Sequence, residues 1–420
     1  MALRRVLLLA VPLLCAAAPN AFADGGPSQP PSKPLLEARA IYPATKMQPG
    51  PSSGNVGVSA ANGVTPPFSG QPIPGISGAL ADRDGGFWGQ PDNGFGAKGN
   101  SADYLLRNYH FTADWRTARR GSGVLDADRF ISYRDPDHKV PFPIVNGSTP
   151  DRLLTGADFD IESVQRARDG SLWVGEEFGP YLLHFDATGK LLEAPIPLPG
   201  VKSPQSPDLK PGETPNLPGS RGFEAMAMSR DGRTLYPILE GAVADDADKT
   251  LRRIYTFDIR SRAYKNGYQQ MHVDDPGFMV GDAQVLRDGE LVVIERDGGQ
   301  GPTAKVKRLV GVDLSAAPAA DGTQPRRLIA DMLNIADPFG ISTATGPAGG
   351  FGIGDPFSFP VQSFETVTLL GGDHVLIAND NNFPFDASRV PGKPDDLEAA
   401  IVRIPGLKGL GHDDGDNDND

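Results

Sequence analysis

Short apolar runs recur along the chain in one repeating pattern. An apolar run opening on an acidic residue leads to a tight turn, a second apolar run, and then a carboxylate. The clearest copy runs from Ile161-Glu162 through the Asp169-Gly170 turn to Glu176-Glu177. Others run from Phe223-Glu224 through Asp231-Gly232 to Leu239-Glu240, and from Asp282 through Asp288-Gly289 to Ile294-Glu295. A further copy runs from Phe364-Glu365 through Gly371-Gly372-Asp373 to Asn379-Asp380. The copy nearest the N-terminus runs from Ser77 through Asp84-Gly85 to Pro91-Asp92. Apolar runs joined by Asp-Gly carry the signal of a β-hairpin. A strand–turn–strand unit repeated in this way predicts a β-propeller or a related array.

The best copy extends to four strands, at residues 161–168, 171–176, 181–186 and 190–196. Four antiparallel strands in about 40 residues make one propeller blade. Residues 251–259 and 262–273 would complete the Phe223 copy, and residues 307–314 and 326–330 the Asp282 copy. The last copy finds a third strand at 399–404 and then the domain ends. Residues 35–42 are predicted to supply the missing outer strand, which closes the ring and covers its free edge. The predicted fold is therefore all-β: a propeller of four-stranded antiparallel blades. Five blades are legible. The long intervals from 77 to 161 and from 282 to 364 leave room for a sixth.

The ends differ from this core. Arg4-Arg5, the apolar stretch 6–18 and the small residues around Ala21-Phe22-Ala23 form an export signal over residues 1–23. Its apolar part is too short to span a bilayer. Residues 24–34 are proline-rich and predict a linker, 35–406 the propeller domain, and 407–420 an acidic, disordered tail. The single cysteine, Cys15, falls in the signal. The mature chain is thus expected to lack disulfides, thiol catalysis and cysteine-held zinc, which suits the periplasm or the medium. With 51 glycines and 40 prolines among 420 residues, turns are abundant. A formal charge of −13 argues against nucleic acid and anionic membranes as partners. A monomer acting on a small molecule is expected.

Strand geometry turns the repeat into a statement about place. The first strand of a blade runs along the central channel, the Asp-Gly turn lies on the far face, and the second strand returns. The acids at the start of strand one and the end of strand two then share one face. Asp92, Glu162, Glu177, Glu224, Glu240, Glu295, Glu365 and Asp380 are the candidate metal ligands on this basis, with Asp282 beside them. So many like charges need relief, because neighbouring carboxylates raise one another's pKa. Calcium, which takes six to eight oxygen ligands, is one source of relief. Basic neighbours are the other, and Arg221, Arg296 and Lys98 stand near the repeat ends. The plainer alternative is that the acids accept hydrogen bonds from neighbouring blades. The six histidines show no metal-ligand spacing, and no Gly-x-Ser-x-Gly, Walker loop or dinucleotide fingerprint occurs.

Several stretches carry a family resemblance. They are Gln71-Pro72-Ile73-Pro74-Gly75-Ile76-Ser77, Asp92-Asn93-Gly94-Phe95-Gly96-Ala97-Lys98 with Ser101-Ala102-Asp103, Trp173-Val174-Gly175-Glu176-Glu177-Phe178-Gly179-Pro180, and Gly222-Phe223-Glu224-Ala225-Met226. Together the chain resembles bacterial phytase-like proteins labelled "esterase-like activity of phytase". The resemblance implies a propeller, export and calcium-dependent hydrolysis of phosphoric esters. On that expectation Glu177, Glu240, Arg221, Arg296 and Lys98 are the candidate catalytic residues. A calcium-dependent lactonase or carboxyl esterase on the same scaffold, and a binding propeller without chemistry, are the alternatives.

Overall fold

The computed structural model describes residues 33–82 and 84–407. The predicted export signal, most of the predicted linker and the predicted tail beyond Leu407 lie outside the described residues. Five four-stranded antiparallel blades follow one another. The first holds Gly78–Ala81, Phe87–Gln90, Arg107–Asp114 and Val124–Ser132. The second holds Ile161–Arg166, Leu172–Glu176, Tyr181–Phe185 and Ile196–Pro197. In the third, Phe223–Met228 and Thr234–Leu239 are followed by outer strands broken into Leu251–Ile254, Phe257–Asp258, Ala263–Tyr264 and Gln269–His272. The fourth holds Met279–Arg287, Glu290–Arg296, Lys307–Asp313 and Arg326–Asp331. The fifth holds Ser363–Gly371, His374–Asp380 and Leu397–Arg403, with the N-terminal Leu35–Tyr42 as its outer strand. The first strand of each blade packs against its counterparts in both neighbouring blades, and the first blade meets the fifth. The ring is a closed five-bladed propeller.

The long sequence intervals hold loops rather than a sixth blade. Residues 133–160 and 332–362 contribute bridges, turns and one short helix, Ile341–Thr345. The fourth strand of the second blade is shorter than the sequence predicts. Leu191 donates its N–H to Arg134, in the loop after the first blade, and pairs with Phe185 only as an isolated bridge.

Each blade is apolar on both faces, because each is sandwiched between two others. The core accordingly divides into five clusters, one per blade junction. Trp173 and Phe223 share the cluster between the second and third blades, while Val280 and Val293 pack against Ala225 and Ile238 between the third and fourth. Burial on both faces explains why Leu291-Val292-Val293-Ile294 reads as a continuous apolar run rather than an alternation.

Closure rests on Leu35–Tyr42, which pairs antiparallel with Leu397–Arg403, Ala40 opposite Ala399. Ile41 also bridges to Val124 of the first blade. A buried ion cluster locks this seam. Glu398 accepts from Arg39 Nε at 3.3 Å, with Nη2 2.9 Å away, and from Arg389 at 2.6 and 2.7 Å, and both guanidiniums lie over the Phe357 ring. Burial alone would raise the Glu398 pKa, but Arg389 and Arg39 hold it down at about 2. The stabilisation is therefore present above the ordinary glutamate value of about 4.3 and is lost as pH falls toward 2. Glu398→Gln is expected to cost about 3–5 kcal/mol at pH 7, because it leaves buried arginines uncompensated. Urea unfolding measures this, and the gap from the parent should narrow below about pH 4.

Candidate active site

The inner strands carry a bulge at the residue that faces the channel mouth. The ladder slips between Ile161 and Ser163, between Phe223 and Ala225, and between Phe364 and Thr366. The extra residue in each case is an acid: Glu162, Glu224 and Glu365. A bulge bends the strand and re-aims the side chain at that point. These three carboxylates converge, each offering an oxygen within 4.8 Å of the others. Asp92 and Asp160 form a second such group with Glu162, and Glu177 and Glu240 a third with Glu224. Asp380 adjoins Asp92 and Glu365. All eight carboxylates are buried.

Two glycines permit this crowding. A Cβ on Gly75, which has a φ of +114°, would stand 2.3 Å from Asp380 Cα. A Cβ on Gly222 would stand 2.5 Å from Glu177 Cα. Gly222 thus lets the third blade close on the second at Glu177, and within the third blade its O accepts the Glu240 N–H at 2.9 Å.

One buried guanidinium sits among the acids. Arg296 Nη2 lies 2.6 Å from Glu365, 3.1 Å from Glu240 and 3.6 Å from Glu224. Burial opposes its charge, but Glu365, Glu240 and Glu224 together raise its pKa further. Arg221 pairs with the other oxygen of Glu240. Eight acids thus share two paired cations. Burial, followed by neighbouring carboxylates, pushes Asp92, Glu162, Glu177, Glu224 and Asp380 well above the usual carboxylate range. Burial raises Asp160 to about 6. Glu177 Oε1 and Glu224 Oε1 are buried and accept no hydrogen bond. Oxygen-only groups with orphaned acceptors fit a hard cation such as calcium.

Two sequence expectations need correction. Glu295 does not reach the mouth. Its carboxylate takes Arg308 at 2.8 Å, Arg326 at 2.5 Å and the Asp274 N–H at 3.1 Å, on the flank of the fourth blade. It pairs directly across from Arg308, and successive strand residues face opposite ways, so Arg296 is the one that points inward. Asp282 is also diverted. It accepts the N–H groups of Ala283 and, across the blade junction, Val367. Lys98 is half-exposed over the Phe178 ring at 5.3 Å and makes no ion pair among the described residues.

Sequence reasoning missed Asp160, Glu176 and Asp386. Asp160 accepts from Asn93 Nδ2 at 2.7 Å. Its signal was the alternation Asp158-Phe159-Asp160-Ile161-Glu162, which places acids two residues apart. Glu176 is a tie rather than a ligand: it accepts N–H groups of Asp160, Phe178 and Gly179. Asp386, raised to about 7 by burial, accepts from Asn382 beside the cluster. Also missed was a cavity of about 480 Å³ that adjoins Glu240 and is lined by Arg221, Lys249, Arg252, Phe278 and Met279. Arg252 is buried there on the carbonyls of Lys249, Leu251 and Phe278, and burial lowers its pKa to about 10.

Fold and site together define a β-propeller with a buried carboxylate cluster at one mouth of its channel. The model of the phytase-like family, described as "esterase-like activity of phytase", matches residues 71–383, and the chain belongs to that family. A relative from the fungus Arthroderma benhamiae, described as an uncharacterized secreted protein, is 25% identical over 183 residues, 35% of this chain. The match spans only 36% of that protein's length. It supports no bacterial source. Among solved structures, the periplasmic gluconolactonase of Pseudomonas aeruginosa is 14% identical, with 88% of this chain and all of that one covered at a TM-score of 0.36. A protein of unknown function from Dyadobacter fermentans is 13% identical, with 89% and 99% covered at a TM-score of 0.38. No helix among the described residues is long and apolar enough to cross a membrane.

The raised Asp160 value has a testable sign. Folding is penalised as pH rises from the ordinary aspartate value of about 3.9 toward about 6, because the fold resists losing that proton. Asp160→Asn keeps the acceptor for Asn93. In chelator, the variant should match the parent at pH 4 and unfold at a higher temperature at pH 7. An equal difference at both pH values would contradict the burial argument.

Proposed function

We propose that this chain is an exported, calcium-dependent hydrolase of phosphoric esters, acting at the carboxylate-lined mouth. The observation that carries this is the gathering of eight buried carboxylates around only two paired arginines, with Glu177 Oε1 and Glu224 Oε1 accepting no hydrogen bond. Asp92, Asp160, Glu162, Glu177, Glu224, Glu365 and Asp380 are the residues that would hold calcium. Bound calcium would polarise a phosphoryl oxygen and acidify a water. Arg296 fixes Glu240 and Glu365 in place and offsets charge in the cluster. Glu177 Oε1 is the atom suited to give or take a proton, being near the cluster, free of hydrogen bonds and raised in pKa. The cavity lined by Arg221, Lys249 and Arg252 offers cations for further anionic groups on the substrate. Lys98 stands at the rim as an additional cation. The membership in a family described as esterase-like supports ester chemistry.

A second reading has one observation in its favour. Arg221 and Arg296 are already committed to Glu240 and Glu365, which suits a neutral ester or lactone better than a phosphate. Assays on phytate, p-nitrophenyl phosphate, p-nitrophenyl acetate and a sugar lactone, with and without chelator, separate the two. Chelator-sensitive phosphate release is expected, restored by calcium. Turnover confined to acetate or lactone would favour the second reading. Glu177→Gln should lower kcat by about 10²-fold or more. Arg221→Ala should raise KM for phytate more than it lowers kcat. No bound metal, with activity indifferent to Glu177→Gln, would overturn both readings.

A further inference from the structure

A second group of side chains able to ligate a metal lies on the opposite face of the ring. The hairpin joining Gly78–Ala81 to Phe87–Gln90 carries Asp82 and Asp84. Below it, His110 on the third strand of the same blade pairs across from Trp88. One ligand atom from each of Asp82, Asp84 and His110 lies within 4.8 Å of the other two. His110 is wholly buried, whereas Asp84 is half-exposed.

The orientation of the imidazole is the informative point. Nδ1 lies 2.7 Å from Asp128 Oδ1. A carboxylate there can only accept, so Nδ1 carries a proton. Asp128 occupies the position at which the ladder between Arg107–Asp114 and Val124–Ser132 slips, and the slip aims it at the ring. Nε2 then faces Asp84 Oδ2 at 3.3 Å and Asp82 Oδ2 at 3.9 Å, yet it is buried and makes no well-aligned hydrogen bond to either. In the neutral imidazole this is a lone pair directed at two carboxylates, an arrangement that a cation between them would make favourable. A carboxylate on the far nitrogen is the usual support of a metal-bound histidine. An ion with bonds of about 2.0–2.1 Å in tetrahedral geometry holds its ligand atoms about 3.3–3.4 Å apart, near the spacing found. The remaining contacts hold the ligands in place: Trp88 Nε1 donates to Asp82, Gly86 N–H donates to Asp84, and Arg129 lies 3.4 Å from Asp84 and 3.0 Å from Asp128.

We propose that Asp82, Asp84 and His110 bind a zinc-class divalent cation, at a site separate from the carboxylate cluster. One nitrogen with two oxygens suits zinc or cobalt and is poorly matched to calcium. The ion would clamp Asp82 and Asp84 onto the third strand of the first blade.

Metal binding by the full chain tests this. After chelation and dialysis, Zn²⁺ is titrated calorimetrically in excess Ca²⁺, which occupies oxygen-only sites. Co²⁺ is added to a separate zinc-free sample for its visible spectrum. One equivalent of zinc is expected, with a cobalt spectrum of low-coordinate nitrogen–oxygen type and a rise in unfolding temperature. Asp84→Asn, on an exposed turn, should weaken this equivalent at least tenfold and abolish the rise while leaving ester hydrolysis unchanged. Asp128→Asn should weaken it about 10–100-fold. Glu224→Gln should leave it intact, which separates this site from the one at the mouth. Failure to bind zinc, or equal binding by Asp84→Asn, would overturn the proposal.

Discussion

Arg296 stands where an acid stands in other blades, and the mouth depends on that exchange. Glu240 and Glu365 lie within hydrogen-bonding distance of its Nη2, and Glu224 just beyond. Like charges this close, out of water, interact far more strongly than on a surface. Without an internal cation, the acids from neighbouring blades would repel one another across the channel. With it, part of the cluster is satisfied, and an unsatisfied remainder around Glu162, Glu177 and Glu224 is left for a ligand. The site is thus polarised: one side saturated by guanidinium, the other still short of positive charge.

The backbone makes that arrangement possible. Bulges at Glu162, Glu224 and Glu365 point side chains along the channel that a regular ladder would send into a blade junction, where the apolar clusters lie. Fold stability and site chemistry therefore use different residues of the same strands. Val164 and Val367 pack between blades, while the acids near them face the axis. The fourth blade departs from the rule. Its slip spans Gly281 and Asp282, and its acids turn outward to Val367, Arg308 and Arg326.

Most of the architecture was legible because a propeller repeats. The Asp-Gly turns marked the hairpins, and the shortage of strands at the C-terminus correctly pointed to residues 35–42 as the closing strand. Seven of the eight clustered acids, Asp92 among them, could be named from the repeat, and Asp160 could not, since no other blade carries its counterpart: Gly222 fills the equivalent place. Glu295 was misplaced because a one-residue slip reverses which side chain faces inward, and composition does not report slips. The cavity around Arg252 was invisible for a different reason. Its lining comes from three separate segments, within 215–221, 240–252 and 276–279, and its key cation is held by carbonyls, which every residue has.

The seam between the two chain ends sets the order of events during folding. Arg39 and Glu398 are separated by 359 positions, so the contact that closes the ring is among the last the chain can make. Bringing such distant segments together carries an entropic cost that nearer pairs avoid, and topologies rich in such contacts fold slowly. A chain emerging N-terminus first would expose residues 35–42 as an unpaired edge until residues 397–403 arrive. Four blades can assemble in sequence, but the fifth waits for both ends. A propeller of this kind is vulnerable during that wait, when a partner strand from a second copy could occupy the empty place.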